Sequence, residues 1–79
     1  MSKILFFSAP WCGPCSQMKK IITEDLMKEL NIEIIDISKD ISMSTKYEIM
    51  NVPTFIKLED EIIKSKTSGT VTIDMLRSL

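Results

Sequence analysis

Histidine is absent from this 79-residue sequence, and its absence excludes several kinds of catalytic centre. Without an imidazole there is no Cys–His nucleophile pair, no Ser–His–Asp triad and no histidine ligand for a metal ion. An excess of charge is also missing, since 10 Lys and Arg stand against 11 Asp and Glu, a net charge of −1. This balance leaves no basic surface for a nucleic acid and no polybasic patch for a membrane.

Long apolar runs are missing as well. The run that follows Lys3 covers only Ile4–Phe7. It is shorter than the apolar core of a secretory signal and far below the ~20 residues of a membrane span. We therefore expect no membrane association and a location in the reducing cytoplasm. In that compartment a pair of cysteines is more often catalytic or metal-binding than a structural disulfide.

The length and the hydrophobic pattern predict one α/β domain over residues 1–79. A chain this short buries only roughly 60% of its unfolded surface, so its core is marginal. The periodicity predicts the order βαβαββα, a four-stranded mixed sheet with three helices. The predicted strands are 3–8, 32–37, 54–58 and 62–66, and the predicted helices are 14–30, 40–50 and a short one that begins after Thr72.

Three local signals mark the limits of these elements. Asn31 suits the end of the long helix, because asparagine tolerates the left-handed conformation. Asp60 is the candidate for a left-handed position in the turn 59–61, which has no glycine. Thr72 suits the N-cap of the last helix.

The segment Trp11–Cys15 holds both cysteines and the only tryptophan. Two thiols separated by two residues can close into a small disulfide ring or open into a reactive dithiol. Cys12 falls at the predicted N-terminus of the long helix, where the dipole and the free N–H groups favour a thiolate. Cys15 lies one turn deeper and is expected to be more shielded. These positions predict that Cys12 attacks a target disulfide and that Cys15 resolves the mixed disulfide.

Two segments resemble the thioredoxin family. Ala9–Cys15, after a buried strand, is similar to the thioredoxin active site, and Asn51–Thr54 is similar to the cis-proline loop of that family. The spacing from Pro53 to Gly69 also resembles that of thioredoxins. The resemblance covers essentially the whole chain, without the first strand and helix of a full-length thioredoxin. In size and element order the chain is closer to glutaredoxins and to the small glutaredoxin-like donors of ribonucleotide reductase.

The resemblance implies a thioredoxin-like fold and a set of site residues. Cys12 would be the nucleophile and Cys15 the resolving thiol, and Trp11 would line the substrate groove. The other implied members complete the active-site loop and the surface opposite it. They are Gly13 and Pro14 in the loop, Val52 as a backbone partner for an extended target, Pro53 in cis facing the disulfide, and Gly69, which lets the target approach.

The implied activity is that of a protein-disulfide reductase that cycles Cys12 and Cys15 between dithiol and disulfide. It would need no cofactor and no metal besides this redox-active pair. The implied partners are thioredoxin reductase as the electron source and protein disulfides as substrates, with the chain acting as a monomer. A dedicated donor to ribonucleotide reductase is the alternative within this class.

Other interpretations stay open from the residues alone. The chain could be a non-catalytic binding subunit with a thioredoxin fold. The Cys pair could be half of a zinc site, although such a site needs two more ligands that only a second copy would supply. Pro53 could be a trans helix stop, Gly69 a plain turn residue, and Trp11 a core residue.

The sequence departs from the thioredoxin pattern at three places. Phe6 occupies the position of the buried aspartate that thioredoxins carry six residues before the first cysteine, and the segment 32–37 has no lysine to accompany it. Water or a substrate group would then accept the proton of Cys15. Lys20 replaces the proline that kinks the thioredoxin helix, which predicts a straighter helix. A glutathione site is disfavoured, because Ser68–Thr70 lacks the Gly-Gly pair of glutaredoxins.

Overall fold

The computed structural model describes residues 2–79 of the chain. Over that range it contains four strands and four helices in the order β1-α1-α2-β2-α3-β3-β4-α4. The strands are β1 (Ser2–Ser8), β2 (Ile32–Asp36), β3 (Thr54–Glu59) and β4 (Ile62–Ser68), and the helices are α1 (Gly13–Ile21), α2 (Glu24–Leu30), α3 (Ile41–Lys46) and α4 (Ile73–Arg77). None of the helices in this range is long and apolar enough to cross a membrane.

The sheet has the order β2-β1-β3-β4, so that β1 lies in its interior. β1 pairs in parallel with β2 and antiparallel with β3, and β3 pairs antiparallel with β4. The predicted mixed sheet is therefore confirmed. An interior strand covered on both faces explains the unbroken apolar run of β1, in which Phe6 and Phe7 are both fully buried.

Alternate residues of β1 enter two separate cores, one on each face of the sheet. Ile4 and Phe6 pack in the cluster that also contains Met18 of α1 and Leu76 of α4. Leu5, Phe7, Ile35, Ile56 and Leu58 form the cluster on the opposite face. The first cluster carries the cysteines as well, so the packing of α1 against β1 positions the candidate site.

The prediction of one long helix over 14–30 is wrong, and so is the count of three helices. The helix ends at Ile21 and a second helix begins at Glu24. Thr23 causes the break, because its hydroxyl accepts the Leu26 N–H at 3.2 Å as the N-cap of α2. Glu24 and Asp25 add negative charge in the first turn, where the helix dipole favours it.

The expectation of a straight helix at Lys20 fails for the same reason. Lys20 lies near the end of α1, and the helix stops one residue later, because Ile22 leaves the helical conformation with φ −85° and ψ 94°. The spacing of apolar residues does not reveal the break between α1 and α2. Met18 before the break, Ile22 within it and Leu26 after it all pack in the same core.

The ends of the other elements follow local signals more closely. Asn31 has φ 55° at the end of α2, and Asp60 has φ 49° in the β3–β4 turn, as predicted. Thr72 is the N-cap of α4. The predicted helix 40–50 is shorter than expected, because α3 ends at Lys46 and Glu48 then adopts φ 51°.

Replacing Thr23 with alanine is expected to lower the free energy of unfolding of the oxidised protein by about 1 kcal/mol, because the Leu26 N–H loses its acceptor. Urea unfolding followed by circular dichroism measures the change. Thr70→Ala is the matched control, since Thr70 is exposed and its hydroxyl makes no hydrogen bond to residues 2–79. Equal stability of the two variants would contradict the assignment of Thr23 as the cap.

Candidate active site

The two cysteines lie at the start of α1 and are joined by a disulfide bond, with their Cα atoms 5.2 Å apart. Cys12 is the N-cap and has extended backbone geometry, and Cys15 lies within the first turn. Cys12 is 7% exposed and Cys15 only 1% exposed. The structure thus reproduces the expected order of shielding, with Cys12 as the outer member of the pair.

The sulfur of Cys12 takes the position of an N-cap acceptor. It accepts the Cys15 backbone N–H at 3.1 Å, one of the N–H groups that a helix leaves unpaired at its N-terminus. Pro14 contributes no N–H in this turn, and the turn has no acidic residue. A thiolate at Cys12 would therefore meet a hydrogen-bond donor and the positive end of the helix dipole without an opposing charge.

The turn before α1 projects Trp11 into the solvent. The Cys12 N–H donates to the Ala9 carbonyl at 3.2 Å and closes a turn over residues 9–12. Trp11 is 71% exposed beside Gly13 and Pro14, which are exposed as well. Trp11 is therefore not a core residue, and it forms an apolar surface next to the disulfide.

The loop before β3 contains a cis peptide bond between Val52 and Pro53. Pro53 is fully buried, and it directly precedes the strand that pairs with β1. The Thr54 hydroxyl donates to the Asn51 carbonyl at 2.6 Å and braces the loop from within. Thr54 was not among the predicted site residues, although a threonine directly after the loop proline is the signal that could have identified it.

Gly69 meets this loop across the sheet. Its N–H donates to the Pro53 carbonyl at 2.8 Å, so two residues far apart in the chain lie side by side. Gly69 has φ 91°, a conformation that favours glycine, and no atom lies within 4 Å of the place where a Cβ would stand. The positive φ therefore favours glycine at position 69, and the space beside its Cα is open.

Val52 leaves its backbone available. It is half-buried and packs against the core cluster that contains both cysteines. Its N–H and carbonyl make no backbone hydrogen bond to other residues in the range 2–79. An extended chain lying beside this loop would find one unpaired donor and one unpaired acceptor there.

The core beneath the disulfide has no carboxylate at position 6. Phe6 is fully buried and stacks on Phe55 with ring centroids 4.6 Å apart. Asp36 lies at the end of the neighbouring strand, and its Oδ1 accepts both the N–H and the hydroxyl of Ser38, at 2.9 and 2.6 Å. These hydrogen bonds lower the pKa of Asp36 below its ordinary value and keep it ionised.

Ser8 is a polar residue of this region that the sequence analysis overlooked. It is fully buried at the end of β1, directly before the turn that leads to Cys12. The signal was present in the sequence, since Ser8 is the first hydroxyl after the apolar run of β1.

Cys12 and Cys15 are themselves largely buried, while the adjoining Trp11, Gly13 and Pro14 are exposed. Two concavities of the molecule lie elsewhere, one lined by Ile4, Asn31 and Leu76 and the other by Met27 and Ile32. Within residues 2–79 no group of three or more His, Cys, Asp or Glu side chains is arranged to hold a metal ion. A Cys-x-x-Cys disulfide at a helix N-terminus, in a fold that also carries a cis-proline loop, defines a class of proteins that exchange thiols and disulfides.

Comparison with known proteins identifies the family within this class. The family model "Thioredoxin" matches residues 2–79. The thioredoxin of Bacillus subtilis (strain 168) is 30% identical over 76 residues, which cover 92% of this chain and 73% of that protein. A thioredoxin of Staphylococcus epidermidis is 34% identical over 61 residues, which cover 73% of this chain and 59% of that protein.

Solved structures agree. The X-ray structure of thioredoxin from Fasciola hepatica superposes with a TM-score of 0.84 at 28% identity, covering 98% of this chain and 75% of that one. The chain belongs to the thioredoxin family, and the resemblance that its motifs carry is confirmed. Its disulfide-forming cysteine pair is the redox centre on which thioredoxins, as disulfide oxidoreductases, rely.

Replacing Phe6 with aspartate is expected to introduce a new pH dependence into the second exchange step. A buried carboxylate has a raised pKa, and in its ionised form it can take the Cys15 proton. General-base catalysis of this kind accelerates a step by on the order of 10²-fold. Stopped-flow kinetics of a mixed disulfide between Cys12 and a small thiol, followed from pH 5 to pH 9, measures this step.

Phe6→Asn is the control for that experiment. It removes the same stacking on Phe55 and introduces a polar group of the same size that does not titrate. Circular dichroism establishes that both variants are folded before their kinetics are compared. The same pH profile for the aspartate and asparagine variants would contradict the hypothesis that water or a substrate group accepts the Cys15 proton in the wild-type protein.

Proposed function

We propose that this chain is a protein-disulfide reductase, a thioredoxin-like electron carrier that works through Cys12 and Cys15. The observation that carries the proposal is the place of the Cys12 sulfur, which accepts the Cys15 N–H at the N-terminus of α1. That environment favours the thiolate, which is the nucleophile of disulfide exchange. The redox-active pair is sufficient for the chemistry, so the proposal includes no further cofactor and no metal.

The first step is the attack of the Cys12 thiolate on one sulfur of the target disulfide. The target S–S bond breaks, a bond forms between Cys12 and the target, and the other target sulfur leaves as a thiolate that takes a proton from solvent. Cys12 is the attacking member because it is the outer of the two sulfurs.

The second step releases the target. Cys15 loses its proton to water or to a substrate group, and its sulfur attacks the Cys12 sulfur of the mixed disulfide. The Cys12–Cys15 bond forms and the second target sulfur leaves as a thiolate. Two electrons have passed from the chain to the target, and a reductant must return them before the next cycle.

The surface around Cys12 suits an extended, uncharged segment of a target protein. The three segments that surround the site, residues 8–18, 49–54 and 67–71, contain no charged residue. The unpaired N–H and carbonyl of Val52 would pair with the backbone of the target, and the open space at Gly69 would admit it. Trp11 and Met50, which are 71% and 89% exposed, supply apolar contacts on either side.

The proposed partners are those that membership of the thioredoxin family implies. Electrons would come from a flavoprotein thioredoxin reductase, and the working form would be a single-domain monomer in the reducing cytoplasm. A dedicated donor to ribonucleotide reductase would use the same two steps with one target. A non-catalytic binding subunit would keep the fold and the apolar surface but would not turn over.

The decisive experiment is the reduction of insulin disulfides, first with dithiothreitol and then with NADPH and thioredoxin reductase. We expect turnover in both assays, because the Cys12 thiolate can attack any accessible target disulfide. Cys12→Ser should lower the rate by at least about 10³-fold, since removal of a nucleophile leaves only background exchange. Cys15→Ser should still attack insulin and should accumulate as a mixed disulfide detectable by mass spectrometry.

Each other outcome points to a different function. Turnover with glutathione and its reductase alone would indicate a glutaredoxin-type protein. Activity restricted to ribonucleotide reductase would indicate the dedicated donor. A folded protein that is silent in every assay, and whose Cys15→Ser variant traps no target, would contradict the proposed activity and favour the binding subunit.

A further inference from the structure

The hydroxyl of Ser8 is buried without a hydrogen-bond partner. Ser8 is 0% exposed, and its Oγ forms no hydrogen bond to any of residues 2–79. Buried hydroxyls are almost always bonded, because an unpaired one keeps the cost of its lost hydration. An exception in a native structure calls for a physical explanation, and a partner that the group meets in another redox state is one such explanation.

The position of Ser8 shows where that partner must lie. Side chains alternate along β1, and Phe6 faces the core cluster that contains Cys12 and Cys15, so Ser8 faces the same side. Ser8 is the last residue of the strand and lies four residues before Cys12. In the antiparallel register Phe7 is opposite Thr54, which places Ser8 opposite Pro53 at the next step.

Within residues 2–79, the polar groups near Ser8 form no hydrogen bond with its hydroxyl. Asp36 is opposite Ser8 on β2, but its Oδ1 accepts two hydrogen bonds from Ser38 and neither of its oxygens is bonded to the Ser8 hydroxyl. In the disulfide form neither cysteine sulfur is bonded to Ser8 Oγ, although both lie on this face of the sheet. A sulfur in a disulfide bond is a weak hydrogen-bond acceptor. After reduction the Cys15 sulfur is no longer held in the disulfide ring, and as a thiolate it is a much stronger acceptor.

We propose that Ser8 is a positioning residue for the reduced state, in which its hydroxyl donates a hydrogen bond to the Cys15 sulfur. Cys15 is the inner sulfur, 1% exposed, and it must become a thiolate in a core that offers no carboxylate at Phe6. Cys12 already has a donor in the Cys15 N–H. The hydroxyl keeps its own proton, and the proton of Cys15 leaves to water or to the substrate.

The consequence is a difference between the two redox states, and it rests on the proposed Cys12–Cys15 cycle. The hydrogen bond stabilises the dithiol form and is absent from the disulfide form, so it makes reduction easier. Removal of the hydroxyl should make the protein a stronger reductant by about tenfold in its equilibrium with glutathione, or about 30 mV for this two-electron couple.

The experiment compares Ser8→Ala with Ser65→Ala. Ser65 of β4 is the matched control, because its hydroxyl also lacks a hydrogen-bond partner within residues 2–79 while it lies opposite Lys57, away from the cysteines. The redox equilibrium of each variant is measured in glutathione buffers by counting free thiols. Urea unfolding is measured separately for the oxidised and the reduced proteins.

Ser8→Ala should lower the reduction potential and destabilise the reduced protein, while the oxidised protein keeps its stability because it loses no hydrogen bond. Ser65→Ala should leave the potential at the wild-type value. An unchanged potential in Ser8→Ala, or equal changes in the stability of both redox forms, would overturn the proposal. The measurement needs no target protein, so failure of insulin reduction would count against the proposed function without affecting the role of Ser8.

Discussion

The reactivity and the local fold of this protein both depend on the hydrogen bond from the Cys15 N–H to the Cys12 sulfur. It makes the sulfur an N-cap, so the reactive atom and the first turn of α1 stabilise each other. The turn keeps its place because Cys15 and Met18 pack with Phe6 in one core cluster. The rest of the site depends on this arrangement, because the N-cap and the core packing together hold the first turn of α1 in place.

The N-terminus of α1 is the main source of positive potential that would stabilise a thiolate at Cys12. The segments that surround the site are uncharged, and Phe6 stacks on Phe55 at the place where thioredoxins carry a carboxylate. A small core gains from this stack, because a buried unpaired carboxylate would weaken it. The protein therefore combines a stable apolar core beneath the disulfide with hydrogen bonds from uncharged groups, namely the helix N–H and, as we propose, the hydroxyl of Ser8.

Sequence patterns predicted the sheet, the helix that begins at Cys12 and the left-handed position at Asp60, because capping, turn conformation and apolar alternation are set by neighbouring residues. These patterns did not predict the helix break at Thr23. Thr23 is the N-cap of a new helix, but Met18, Ile22 and Leu26 have helical spacing and pack in the same core with or without a break. Periodicity alone therefore could not separate one long helix from two short ones.

The sequence by itself determined the reactive pair and its helix terminus, because the spacing of Cys12 and Cys15 and the proline between them act over one turn. Only the tertiary structure decided which groups distant in the chain come together beside β1. The hydrogen bond from Gly69 to Pro53 and the unpaired hydroxyl of Ser8 both depend on the register of β1, β3 and β4. That register is set by packing between segments distant in the chain, which no local pattern specifies.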